Sequence, residues 1–388
     1  MHTTMATENN NKNLNVPNLR FPEFSGEWER NELQKVATLS KGTGISKDQL
    51  ADSGHPCILY GELYTKYKSE IIEEVYSKTQ LDAANLVKSQ TNDVIIPCSG
   101  EAAIEIATAR CVLTPNVLLG GDLNIIRLNG HDGGFFAYQL NGKRKVDIAK
   151  VAQGVSVVHL YGEHLKKVKV AYPSLAEQQK IAEMLSLLDE RIATQIKIIE
   201  DLKKLKSAIR TKVFKQLESN CEYWTEIGNM LQYEQPSKYL VASTEYSDSY
   251  ATPVLTANKA FILGYTDEEF GIYSKGECVI FDDFTMDVKF VNFPFKVKSS
   301  AIKILTANSG NDLYFVYEYL QNLGLVSEEH KRHYISEIEP MIVACPTFEE
   351  QQNISNLLRS FDSKIECANR ELTLYNKQKQ YLLSQMFI

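Results

Sequence analysis

Pro173-Ser-Leu-Ala-Glu177-Gln178-Gln179-Lys-Ile181 returns as Pro346-Thr-Phe-Glu-Glu350-Gln351-Gln352-Asn-Ile354, 173 residues further along a chain of 388. The same offset then pairs Leu185 with Leu358, Asp189 with Asp362, Ile192 with Ile365, Lys204 with Lys377, Lys206 with Lys379 and Phe214 with Phe387. A register sustained over about forty positions marks an internal duplication, so the chain is read as two halves of one plan. Each copy opens on a proline and a short acidic and amide segment. It then continues without Pro or Gly, as a helix does.

The apolar positions of the first copy are Ile181, Leu185, Leu188, Ile192, Ile199, Leu202, Ile209 and Val213. They advance in steps of four and three, with Gln195 and Lys206 as polar interruptions, which is a coiled-coil seam. The second copy gives Ile354, Leu358, Phe361, Ile365, Ala368, Leu372, Tyr375, Leu382 and Met386, interrupted by Lys379. At about 1.5 Å per residue the first helix is roughly 60 Å long, a rod rather than one element of a compact domain. The matched lysines suggest paired partners. Two equivalent stripes can satisfy each other as an antiparallel pair within the chain; pairing with a second chain, or two long amphipathic surface helices, would give the same pattern.

Removing the rods leaves two segments of ordinary domain size. The chain then divides into a disordered leader (1–15), a first globule (16–172), a helix (173–216), a second globule (217–345) and a second helix (346–388). Short β-rich runs in the first globule include Asp93–Cys98, Leu123–Leu128 and Ser156–Leu160. The second has Glu277–Phe281, Lys289–Phe293 and Ala301–Leu305. Gly, Asn and Asp turns separate them, the pattern of α+β domains. Each globule also carries an aromatic helical stretch, Phe135–Leu140 and Leu313–Leu320, expected to pack in the core. Each begins near one of the two tryptophans, Trp28 and Trp224.

With 44% apolar and 23% charged residues the composition is that of a globular protein, and no segment is apolar enough to suggest a membrane span. Seven cysteines without a CxxC pair or signal peptide imply reduced thiols, no zinc site and a cytoplasmic protein. The net charge of −7 argues against a nucleic-acid binder, but the distribution does not. Asn141–Val170 holds Lys143, Arg144, Lys145, Lys150, Lys166, Lys167 and Lys169 against only Asp147 and Glu163. Such a run is either a solvated face or a surface that draws phosphates.

Motifs of nucleotide chemistry are missing. There is no GxxxxGK[ST] loop, and Lys41-Gly-Thr-Gly44 lacks the remaining glycine of a dinucleotide or kinase loop. Asp283-Phe-Thr-Met-Asp287-Val-Lys289 resembles a nuclease metal corner, but its spacing favours a turn followed by a strand. His330-Lys-Arg-His333 has no third ligand nearby and is expected at the surface. No catalytic, cofactor-binding or metal-binding residue is assigned.

The order globule, Pro-x-x-x-Glu-Gln-Gln helix, globule, Pro-x-x-x-Glu-Gln-Gln helix resembles the specificity subunit of type I restriction–modification enzymes. The opening Val16-Pro-Asn-Leu-Arg20-Phe21-Pro22-Glu-Phe24-Ser-Gly26-Glu-Trp28 is similar to the N terminus of that family, in particular its staphylococcal-type members. The resemblance implies two target-recognition domains separated by two long antiparallel coiled-coil helices, a pseudo-twofold internal repeat. It implies an asymmetric bipartite target in double-stranded DNA, and one specificity subunit with two methyltransferase subunits and restriction/translocase subunits. S-adenosylmethionine, ATP and Mg would be used by those partners, with none bound in this chain. On this reading Lys41, Thr43 and Lys47 of the 40–47 loop, and Lys143, Arg144 and Lys145, are expected to contact DNA. The helix entrances Glu177, Gln178, Gln179, Glu350, Gln351 and Gln352, with Leu188 and Ile192 of the seam, are expected to form the spacer and dock partners. A stand-alone DNA nuclease or methyltransferase and a coiled-coil protein-binding adaptor are the alternatives.

Overall fold

The structure, a computed structural model, describes residues 15–154, 156–256, 261–327 and 332–388. The leader expected over residues 1–15 therefore lies outside the described residues except for Asn15. Contacts divide the chain into two units: residues 1–196 with 370–388, and residues 197–369.

Unit 1 contains strand β1 (Glu29–Glu32), helix α1 (Leu33–Val36), β2 (Ala37–Lys41), β3 (Ile71–Ile72), β4 (Asp93–Pro97), β5 (Arg110–Val112) and β6 (Leu123–Leu128). Helices α2 (Gly133–Asn141) and α3 (Gly162–Leu165) and strand β7 (Lys169–Tyr172) follow. The main sheet has the order β2-β6-β4-β5-β3 and is antiparallel except between β5 and β3. Every residue of β4 is buried, which is why it reads as an unbroken apolar run. Helix α2 packs on this sheet with all residues from Gly133 to Leu140 buried, so the aromatic stripe is core. Gly133 permits that approach, since a Cβ there would lie 2.5 Å from the Asn92 carbonyl oxygen. The run Ser156–Leu160 keeps only a short strand, Val158–His159, against Ser99–Gly100. The first and last strands, β1 and β7, pair from Glu29↔Tyr172 to Glu32↔Lys169 and close the globule at its base.

The first long helix, α4, spans Leu175–Asn220, four residues beyond the expected end at Gln216, and is about 69 Å long at 1.5 Å per residue. Unit 2 repeats the frame of unit 1 with β8 (Trp224–Glu226), β9 (Leu231–Glu234), β10 (Cys278–Asp282), β11 (Val288–Val291), β12 (Ile302–Ala307), helix α5 (Leu313–Asn322) and β13 (Ile342–Ala344). Its sheet runs β9-β12-β10-β11, all antiparallel, and β8 pairs with β13 at the base. The second long helix, α6, spans Phe348–Gln385.

All the apolar seam positions of α4 and α6 are buried or half-buried. Within unit 1, Gln195 donates to Glu371 at 3.0 Å, Arg191 lies over Tyr375 and Lys379 meets Asp189. Residue numbers fall on α4 as they rise on α6, so the helices are antiparallel there, and the stripes satisfy each other inside one chain. The two matched lysines do have matched partners. Each lysine reaches the aspartate of the other copy. Lys379 bridges Asp189 and Glu70 at 2.5 Å each in unit 1. Lys206 bridges Asp362 and Glu318 at 2.6 Å each in unit 2. Tyr138 of α2 donates to Asp189 at 2.8 Å, and Tyr314 of α5 donates to Asp362.

The tryptophans differ. Trp28 is 2% exposed, edge-on to Phe135 and Phe387, whereas Trp224 is 43% exposed. No helix among the described residues is long and apolar enough to cross a membrane.

Candidate nucleic-acid interface

The loop after β2 is fixed by its own backbone. Gly42 donates to the Leu123 carbonyl and Thr43 to that of Leu119, both at 3.0 Å. Only glycine fits at 42, because a Cβ would stand 2.0 Å from the Gly120 oxygen. The Thr43 hydroxyl accepts from Val87 N–H at 2.9 Å, so this half-buried residue anchors the loop. A capping box between Ser46 and Gln49 closes its far end. Lys41 and Lys47 are left exposed on a rigid support.

Lys41 lines an open groove of about 240 Å³ with Leu39, Ser40, Asn124, Tyr161 and Lys166. A second groove, of about 400 Å³, is lined by Arg30, Asn31, Glu32, Lys35 and Lys169. The Lys166 carbonyl accepts from Gln34 N–H at 3.1 Å, which sets the edges of the two grooves side by side. Arg30, Lys35, Lys41, Lys167 and Lys169 are exposed there, and none of the ion pairs among the described residues involves them. Lys166 pairs with Glu163 at 2.5 Å. An excess of unpaired cations beside a groove favours a polyanion. Sequence reasoning missed Arg30 and Lys35 because each stands alone in the chain; strand pairing gathers them beside Lys169.

Within the run Lys143–Lys145 only Lys143 is fully exposed, and Arg144 and Lys145 are half-buried. Arg144 donates to the Ile388 carbonyl at 2.7 Å and pairs with Asp147 at 3.3 Å. Burial pushes the Lys145 ammonium below its ordinary pKa, and nearby Arg110 acts in the same direction.

The helix entrances are also occupied. Gln178 is 1% exposed; it donates to the Pro173 carbonyl at 2.8 Å and accepts from Asp132 N–H at 3.0 Å. Asp132 in turn caps α2 through Phe135 N–H. Gln351 repeats this in unit 2, donating to Pro346 and accepting from Asp312, the cap of α5. Both glutamines clamp the globule to the start of its helix, which corrects their assignment to a docking surface. Glu177 is buried and holds Arg20 through two hydrogen bonds, of 2.8 and 2.7 Å, while Glu350 is exposed and caps its own helix at Thr347. Leu188 and Ile192 lie in the seam; Gln179 and Gln352 are exposed. Gln178→Ala leaves two backbone groups unpaired and is expected to cost about 2 to 4 kcal/mol in a denaturant titration, against less than about 0.5 for Gln179→Ala.

In unit 2 the Asp283–Lys289 run is a turn followed by β11, as expected, with Met286 at a φ of 57°. Asp283 accepts from the backbone N–H groups of His333 and Tyr334 and faces buried Lys303. His333 is buried rather than at the surface, bonded to Ser327 and Glu337; His330 lies outside the described residues. Lys238, Lys298 and Arg332 are exposed. No cluster of three metal-ligating side chains occurs among the described residues.

A family model for the type I restriction modification DNA specificity domain matches residues 25–204. A type I restriction enzyme specificity subunit of Escherichia coli is 41% identical over 176 residues, 42% of this chain and 44% of that protein, so the match spans less than half of that relative. A chain of Methanocaldococcus jannaschii named as such a subunit is 24% identical over 96% of both lengths. The crystal structure of a type I system S subunit from M. genitalium superposes with a TM-score of 0.65 at 17% identity, over 96% of this chain and 99% of that one. A chain from a study of the assembly and conformational transition of a type I system gives 0.55 at 14% identity, over 93% and 97%.

Proposed function

We propose that the chain is a specificity subunit of a type I restriction–modification enzyme, which it resembles over residues 25–204, and that its two globules each read one half of a bipartite site in double-stranded DNA. The two globules share a frame but differ in sequence, so the two half-sites differ and the target is asymmetric. The observation that carries this reading is the duplicated frame: two globules, each closed by its own base strands and each gripped by a buried glutamine at the start of a repeated helix. The exposed outer sides of α4 and α6 would receive two methyltransferase subunits, with restriction/translocase subunits joining that complex. S-adenosylmethionine, ATP and Mg would serve the partners, and methyl transfer and cleavage would take place there. One specificity subunit per complex suffices, because one chain already carries both readers.

The phosphate-facing surface of unit 1 is assigned to Arg30, Lys35, Lys41, Lys47, Lys167 and Lys169. Replacing Lys35, Lys41 and Lys169 with Ala is expected to weaken binding to every duplex and to reduce the slope of log affinity against log salt by about 0.9 per lysine lost. Arg144→Ala should leave that slope unchanged and lower stability instead. Fluorescence anisotropy across a salt series measures both. The whole reading is tested by mapping methylated adenines in host DNA with and without the gene. A bipartite motif that persists without the gene would overturn it.

A further inference from the structure

The groove beside Lys41 contains a polar group with nothing to bond. Asn124 stands on β6 opposite Lys41 and is 1% exposed. Its Nδ2 donates to the Leu160 carbonyl at 2.9 Å, which fixes the orientation of the amide. Its Oδ1 is buried and has no hydrogen-bond partner. That oxygen faces Gly162, where a Cβ would stand 3.6 Å from it, and both residues line the groove. A buried acceptor of this kind is costly unless something donates to it. Tyr161, 44% exposed, forms one wall, with His159 stacked on it at 6.1 Å and His164 edge-on at 5.7 Å. Lys41 and Lys166 stand at the rim.

We propose that this groove binds a single nucleobase bearing an exocyclic amino group, together with its phosphate. The amine donates to Asn124 Oδ1, the ring stacks on Tyr161, and Lys41, which has no ion-pair partner among the described residues, holds the phosphate. The 240 Å³ volume suits one base. Because Asn124 lies below the surface, a base still paired in a duplex does not reach it. The ligand is therefore either a base turned out of DNA or a free nucleotide. The first source rests on unit 1 being a DNA reader; the second does not.

Both sources are tested with the full-length chain and two variants. Tyr161→Ala removes the exposed wall. Gly162→Leu fills the groove at a position whose φ is not in the left-handed region. Circular dichroism checks that both fold. In equilibrium dialysis dAMP or dCMP is expected to bind, with dIMP and dUMP about tenfold weaker and both variants about tenfold weaker still. In the DNA arm, single mismatches are walked through the target duplex. An unpaired adenine or cytosine at one position is expected to tighten binding about fivefold, because eversion then costs less, and the gain should vanish in Gly162→Leu. Binding in the nucleotide arm alone identifies a free nucleotide as the source. A wild-type chain that binds nucleotide but no duplex overturns the DNA reading and leaves the groove standing. Duplex binding with neither a nucleotide signal nor a mismatch gain sensitive to the variants overturns the groove.

Discussion

Lys379→Met is expected to destabilise unit 1 by about 3 to 5 kcal/mol, because it strands two buried carboxylates without their shared cation. Glu70 and Asp189 have side chains 9% and 6% exposed, and Lys379 sits between them at 2.5 Å from each. The matching change in unit 2, Lys206→Met, should cost less, since Arg210 still pairs with Glu318 at 3.3 Å. Lys377→Met, at an exposed site on α6, should fall within about 0.5 kcal/mol of wild type. Urea unfolding followed by the fluorescence of buried Trp28, in a Trp224→Phe background, measures the effect in unit 1. The deficit should depend on pH with a definite sign. Burial raises the Glu70 pKa above the ordinary range, Lys379 opposes this, and Asp189 adds to it. Without the lysine the folded-state pKa rises further. The folded state then takes up a proton that the unfolded chain does not, and the resulting stability is full below the unfolded pKa and lost as pH rises through the folded one. Lys379→Met should therefore regain stability as the pH falls toward the ordinary carboxylate range. A deficit that grows on acidification would show that Glu70 is not the stranded group.

Exchange of residues 221–345 for the equivalent globule of a related chain is expected to change one half of the methylated motif completely and to leave the other half intact. The base strands β8 and β13 pair from Trp224↔Ala344 to Glu226↔Ile342, so the chain enters and leaves the globule at adjacent points. The transplant must keep its contacts with Phe214, Leu217, Ile354 and Leu358 of the helices, which share its core. With each misread base pair costing about 1 to 3 kcal/mol, two misread pairs weaken binding to the old motif by about thirtyfold or more. The readout is the methylated motif in cells carrying the exchanged chain. A change in both half-sequences would show that the readers are not independent.

Several side chains with matched sequence positions have different roles. Glu177 and Glu350 occupy the same place in the repeat, yet one is buried against Arg20 and the other caps a helix in solvent. Trp28 and Trp224 open their globules alike, but Phe135 and Phe387 cover only the first. The basic run at 143–145 looked uniform, and one of its members anchors the backbone at Ile388. Helix periodicity, by contrast, placed every residue of both seams at a buried or half-buried position, because burial of one face repeats every few residues and leaves a local trace, although Phe214 and Leu383 are more buried than the expected Val213 and Leu382.

The amino-acid sequence by itself determined the duplication, the two rods with their seams and the α+β character of the globules. These follow from the spacing of apolar residues and from a motif used twice, which are properties of neighbours along the chain. Only the tertiary structure decided that Lys206 and Lys379 pair crosswise with Asp362 and Asp189, and that Gln178 and Gln351 are buried clamps. It also gathered Arg30, Lys35, Lys41 and Lys169 along two adjoining grooves. A charge or an amide has a partner only where the backbone brings one within about 3 Å, and that partner lies up to 367 residues away, as for Asn18 and Gln385.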